Sequence, residues 1–356
     1  MHKDILTLTI RDLKGIYAVA LCKFLSSVQL AHVCFPSAIH EHATRRLTTL
    51  TKHNYLSRVF SFPQAMDAHK GGHPMAVYYW SPENKKRFQH YLESKGLAEL
   101  FSDFEPLAPT TNNNDGVAQL SLVHELGISD FFLALEEAAG RDNWTLLFWE
   151  RTSPFSTEVQ ALIPPLTGTM TRKKKAGTAS TTTTMGSCNP DAIFLLQDPT
   201  GYLHFGVLEY DNNTASPEKF NTKLEGYLQF HQDNHFAALL DYYANKYALE
   251  LPDTNIGFRV FTVCANVKGD HRRRNALFLA SLADNRYQMF LYASLTDCTP
   301  ENILSPIWLR GKECLQAQAH LDPILLPETS TTMQSRRIHA TLNDPAHMSK
   351  VAIAAD

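Results

Sequence analysis

A chain of 356 residues with 44% hydrophobic content can bury a large core and divide into two domains. Its formal net charge of −3, from 33 Lys and Arg against 36 Asp and Glu, excludes a uniformly basic coat, so any basic surface must be local. Six cysteines without a CxxC pair, and no leader pattern or long apolar span, predict reduced thiols in a cytoplasmic protein with no structural zinc and no membrane insertion.

Behind Asp12, a candidate cap, apolar residues recur at three- and four-residue intervals through Leu13, Ile16, Val19, Ala20 and Phe24, which predicts a helix. Ser26 or Ser27 opens a short second helix. Ser37 caps a third over residues 38–50, with Ile39, Ala43, Leu47 and Leu50 on one face and His42, Thr44, Arg45 and Arg46 largely elsewhere. Strands follow at 55–60 and 76–80 with Gly71-Gly72 between them. Three helices and then a hairpin are the order of a winged helix-turn-helix, over residues 1–100. Its third helix would lie in a major groove, with Arg45, Arg46, Thr44 and His42 meeting phosphates or base edges and Lys70 reaching the backbone from the wing. The competing reading is the same fold used for protein contacts.

Residues 82–100 form a further predicted helix, and the Pro-, Thr- and Asn-rich stretch 101–116 is a linker. The second domain spans 117–327. It opens on an amphipathic helix at 120–139 that carries Glu125, a candidate auxiliary metal ligand, and a strand at 144–150. Residues 164–188 form a Thr- and Lys-rich loop in which Arg172, Lys173, Lys174 and Lys175 offer a salt-sensitive contact to a phosphate backbone.

Two apolar runs, 189–196 and 202–211, then flank Pro199 and Gly201 and read as a β-hairpin. A turn centred on Pro199 and Thr200 sets Asp191 opposite Leu208 and diagonally beside Glu209. Glu209 and Asp211 share a face. Three carboxylates thus converge at one end of the hairpin, an arrangement that calls for a cation. Pro217 starts a helix on which Lys219, Lys223 and Tyr227 recur every four residues, so either lysine can reach back over the acids. A strand at 257–265, a helix from Arg272 and a strand at 287–293 complete an α/β unit. Residues 328–356 lack periodicity, and we expect them to be disordered.

A winged helix, His124-Glu125 with Asp130, Trp149-Glu150, Pro190-Asp191, Glu209-x-Asp211, Lys223-x3-Tyr227, Arg272 to Asn275 and Ile307-Trp308, in that order over about residues 10–310, resemble the plasmid replication-relaxation family. They also resemble the related restriction-endonuclease-like class of plasmid mobilisation relaxases. The resemblance implies an α/β, α+β overall, chain: a winged helix-turn-helix followed by a PD-(D/E)xK-type domain in which Asp191 and Glu209 match the two acids that hold Mg²⁺ or Mn²⁺. Asp211 stands where that pattern has lysine, and Lys219 or Lys223 from the next helix would fill the role. The implied activity is metal-dependent nicking of double-stranded plasmid DNA at an origin of transfer, with other mobilisation or conjugation proteins as partners. The alternative is a non-catalytic replication-relaxation or copy-control protein on the same scaffold. A tyrosine nucleophile, Tyr210 or Tyr227, is a further route.

Overall fold

A computed structural model describes residues 6–35, 40–61, 75–98, 119–151, 189–212, 217–251, 256–265 and 289–308. They form a mixed α/β chain with seven helices and two sheets, and no described helix is long and apolar enough to cross a membrane. The chain gathers into two units, one of the described residues up to Ala134 and one of those from Leu135 on. The expected linker at 101–116 lies outside the described residues, as do the 164–188 loop, the helix from Arg272 and the tail.

The first unit runs α1 (Ile10–Cys22), β1 (Phe24–Ser26), α2 (Ser27–Cys34), α3 (His40–Lys52), β2 (Ser57–Ser61), β3 (Met75–Tyr79) and α4 (Pro82–Ser94). Three of these helices start on reciprocal capping boxes, in which a hydroxyl and the third helical side chain satisfy each other's orphan N–H groups. Thr9 caps α1 in place of the expected Asp12, whose carboxylate accepts from the Thr9 N–H at 2.6 Å. Strand β1 was not anticipated, because three residues between two helices carry no readable alternation. It pairs with β3, which also pairs with β2, giving an antiparallel sheet in the order β1-β3-β2.

The long helix α5 (Gln119–Arg141) packs Leu122 and Leu126 onto Phe24 and Val77. Burying such side chains contributes roughly 1.5–3 kcal/mol each.

The second unit carries β4 (Thr145–Arg151), β5 (Ala192–Gln197), β6 (Leu203–Asp211), α6 (Pro217–Gln232), α7 (His235–Lys246), β7 (Gly257–Cys264) and β8 (Phe290–Ser294). Its sheet keeps chain order, β4-β5-β6-β7-β8, with β4, β5 and β6 antiparallel and β7 and β8 parallel to β6. One face packs Ile193, Phe205, Val207 and Val260 against Leu224, Tyr227 and Phe230 of α6 and Leu240 and Tyr243 of α7. On the other face Phe194 lies between Trp149 and Phe261, at 5.9 and 5.2 Å between ring centroids. That packing requires Gly206, since a Cβ there would meet the Phe194 ring at 2.3 Å.

The β5–β6 loop corrects the expected register by one residue. Asp198 N–H donates to the Tyr202 carbonyl at 3.0 Å and Gly201 N–H to the Asp198 carbonyl at 2.9 Å, so the loop holds three residues, Pro199, Thr200 and Gly201. Gly201 takes φ of 90°, the conformation such loops ask of glycine. The Asp198 carboxylate anchors the turn by accepting from the Thr200 and Tyr202 N–H groups at 2.8 and 3.0 Å. Ala192 therefore stands opposite Leu208. Asp191, one residue beyond the paired register, donates its N–H to the Leu208 carbonyl and accepts from the Tyr210 N–H, which brings its carboxylate beside Glu209.

Candidate functional site

Asp191 enters β5 with its own N–H donating to the Leu208 carbonyl at 2.8 Å, while its Oδ2 accepts from the Tyr210 N–H at 2.7 Å. Its carbonyl accepts from Arg151 Nε at 3.1 Å. Backbone on one side and a guanidinium on the other thus fix where this carboxylate sits. Glu209, only 4% exposed, is reached from α6: the Lys223 ammonium bonds one carboxylate oxygen and the Tyr227 hydroxyl donates to the other. The four-residue spacing puts both donors one above the other on the helix.

The charge balance at Glu209 is incomplete. Burial pushes its carboxyl up to about 7, Lys223 pulls it down, and Asp191 pushes it up again; desolvation wins because a carboxylate out of water loses more than one partly exposed lysine returns. Asp211 follows on the same face, partly buried, opposite Cys264. Among the described residues no three His, Cys, Asp or Glu side chains come together as a metal-holding group, so the expected triad is, as placed, a neighbouring pair with Asp211 one pleat beyond. On β7, Thr262 stands beside Glu209 and is fully buried.

Of the two candidate lysines, Lys223 meets the acids, while the Lys219 side chain lies outside the described residues. Glu125, in the first unit, accepts from Lys23 Nζ at 2.9 Å, both side chains being 9% exposed. That ion pair ties α5 to the residue after α1, within the first unit. Lys70 and Arg172 to Lys175 also fall outside the described residues.

On α3, Arg45 is 71% exposed, with Glu41 one turn away at 2.5 Å, and His42 and Thr44 are exposed beside it. Arg46 turns inward. It grips Asp12 through Nε at 2.8 Å and Nη2 at 2.5 Å and donates to the Thr7 carbonyl at 3.0 Å, which anchors α3 to the start of α1. The bidentate bond to Asp12 also raises the guanidinium's pKa. Sequence reasoning passed over Arg58 and Phe60 on β2. The Arg58 guanidinium lies 5.1 Å from the Phe60 ring centre and Phe60 is 50% exposed. Period-two alternation from Ser57 was the available signal.

Comparison with curated proteins and with solved structures returns no match. A family model described as replication-relaxation matches residues 17–238, from α1 into the first residues of α7. That span is well over half of the chain and includes both neighbouring acids, Lys223 and Tyr227. The chain belongs to the replication-relaxation family.

Proposed function

We propose that this protein binds double-stranded plasmid DNA through its first unit and nicks one strand at the Asp191–Glu209 pair by metal-dependent phosphodiester cleavage. Family membership supports the broader part, a role in plasmid replication or mobilisation. For the first unit, the support is its element order, three helices and a hairpin whose last strand joins β1, together with the exposed polar face of α3. That is a winged-helix order. For the second, the support is a three-strand antiparallel meander continued by parallel strands across a helical crossover.

The observation that carries the reading is the proximity of Asp191 and Glu209, the Asp191 carboxylate being held by the N–H of Tyr210, the residue after Glu209. Mg²⁺ and Mn²⁺ take hard oxygen ligands, and Mg²⁺ commonly uses one or two carboxylates with water and substrate phosphate completing the shell. Asp191 and Glu209 fit that donor set, and Glu209's raised pKa marks a site short of positive charge. Such an ion polarises a phosphoryl oxygen and acidifies its bound water. The chain's own residues do the rest. Asp191 is aimed by the Tyr210 N–H, and the Lys223 side chain, 37% exposed, can turn to a phosphoryl oxygen as charge develops there. Tyr227 is 1% exposed and donates to Glu209, so it supports an acid and is not offered as a nucleophile. Tyr210 is 6% exposed and alternates to the opposite face.

A second reading, a non-catalytic DNA-binding protein on this scaffold, is favoured by the engagement of both Glu209 oxygens. The two separate on supercoiled plasmid carrying the protein's own origin, incubated with Mg²⁺, with Mn²⁺ and with chelator. The first reading expects open-circular product that is lost in Asp191→Ala while DNA binding survives. Binding without nicking in either metal would establish the second. Arg45→Ala is expected to weaken binding and to lower its salt dependence by about one phosphate contact. Absence of binding at low salt would overturn both.

A further inference from the structure

At the level of Glu209 the sheet carries a polar row: the Asp191 carboxylate lies near Glu209, bonded to the Tyr210 N–H, Thr262 lies beside Glu209 on β7, and Tyr292 lies beyond it on β8. Thr262 shares its face with Phe258 and Val260, which pack in the core beneath α6. Its side chain is 0% exposed, and its Oγ1 has no hydrogen-bond partner. An unsatisfied buried hydroxyl is destabilising, because its hydrogen bonds to water are lost without replacement. Valine has the same branched outline and stands two residues before, at Val260, and one after, at Val263, so shape alone does not call for threonine.

The nearest anionic group in the row is already held from the helix side, one Glu209 oxygen by Lys223 and the other by Tyr227. With that clasp closed, the Thr262 hydroxyl makes no hydrogen bond to it. A carboxylate that ligates a metal is ordinarily oriented by a donor behind it, and loss of such a donor typically costs 10–100-fold in metal affinity.

We propose that Thr262 is a positioning residue for the acid pair: when Lys223 releases Glu209 toward a divalent cation, the Thr262 hydroxyl donates to the Glu209 carboxylate and fixes its orientation. The inference rests on the metal-dependent reading above. The unsatisfied hydroxyl is then a cost carried by the metal-free state and relieved in the loaded one.

The test uses the full chain and Mn²⁺ alone, with binding followed by the electron paramagnetic resonance of free Mn²⁺ and stability by thermal unfolding in chelator. Thr262→Val is expected to raise the unfolding temperature in chelator and to weaken Mn²⁺ binding by about tenfold or more. Thr262→Ser, which restores the hydroxyl, is expected to recover most of the affinity. Thr262→Ala, which removes the hydroxyl without filling the space, should lose Mn²⁺ affinity as valine does, and it serves if the valine variant does not fold. A purely structural threonine would shift stability alone, so wild-type Mn²⁺ affinity in the valine or alanine variant overturns the proposal. If the wild-type chain itself binds no Mn²⁺, the metal-dependent reading has failed and Thr262 falls with it, an outcome visible before any Thr262 variant is measured.

Discussion

Glu209 and Glu150 belong to the same sheet and are held by the same residue types, on both oxygens of Glu209 but on Oε1 alone of Glu150. Each accepts from one lysine and one tyrosine of a helix: Lys223 and Tyr227 of α6 for Glu209, Lys246 and Tyr247 at the end of α7 for Glu150. Their surroundings differ. The Glu209 side chain is 6% exposed and lies near a second acid, Asp191, whereas that of Glu150 is 19% exposed and faces Ile193. A Lys–Tyr clasp alone therefore does not mark a reactive site, since around Glu150 it closes the edge of an aromatic stack of Phe148, Tyr243 and Tyr247. What sets Glu209 apart is burial combined with a neighbouring carboxylate, both of which push its carboxyl upward.

Removing each lysine should expose the difference most strongly. Lys223→Met leaves a buried carboxylate next to another acid. With that lysine more than a third exposed, we expect a loss of about 1–3 kcal/mol, below the range for fully buried pairs. Lys246→Met leaves a carboxylate that water can reach, and the expected loss is under about 1 kcal/mol. Urea unfolding at pH 8 in chelator, where Glu209 is ionised, measures both. Equal losses would break the comparison.

The pH dependence comes next in size. Glu209 titrates near 7 in the folded chain and near 4.3 when unfolded, so between those values the folded state holds the extra proton. Its contribution to stability is fully present below about 4.3 and is lost as pH rises through 7. In chelator, the difference in unfolding midpoint between wild type and Glu209→Gln should therefore change steadily from pH 5 to pH 8, with wild type losing ground. Glu150→Gln should track wild type. A flat difference for Glu209→Gln would mean that Lys223 compensates the charge in full.

Much of this site could be read before the fold was known, and the parts that could not share a physical cause. The hairpin announced itself through Pro199 and Gly201, and the lysine–tyrosine face of α6 through its four-residue spacing, because both signals are local. The one-residue register error arose at the loop, where two- and three-residue turns use the same residue types; Asp198 two residues before Thr200 was the unused hint. The ion pairs of Glu125, read as a candidate metal ligand, and of Arg46, read as a DNA contact, could not be read because their partners, Lys23 and Asp12, lie 102 and 34 residues away. Thr262 was invisible for another reason. A threonine in an apolar run is an ordinary strand residue, and only the missing hydrogen-bond partner of its buried hydroxyl distinguishes it.

The smallest expected effects are also the most discriminating, because they leave every charge in place. Tyr227→Phe deletes one hydroxyl and keeps the ring, so the packing of α6 is preserved and only the bond to Glu209 is lost. A hydrogen bond to a charged buried group contributes about 1.5–3 kcal/mol. Because Glu209 can take up a proton instead of remaining an underbonded anion, we expect the lower end, about 1–2 kcal/mol at pH 8. Tyr247→Phe should cost about 0.5 kcal/mol, since water can take the place of its hydroxyl at Glu150. The same change should move the pH profile. The Tyr227 hydroxyl favours the ionised form of Glu209, so its removal should carry the Glu209 titration above 7 and extend the pH-dependent loss of stability toward higher pH. Tyr247→Phe should leave that profile where it stands. If both tyrosines move it alike, burial beside Asp191 is not what distinguishes the two glutamates, and the case for a reactive site at Glu209 loses its physical basis.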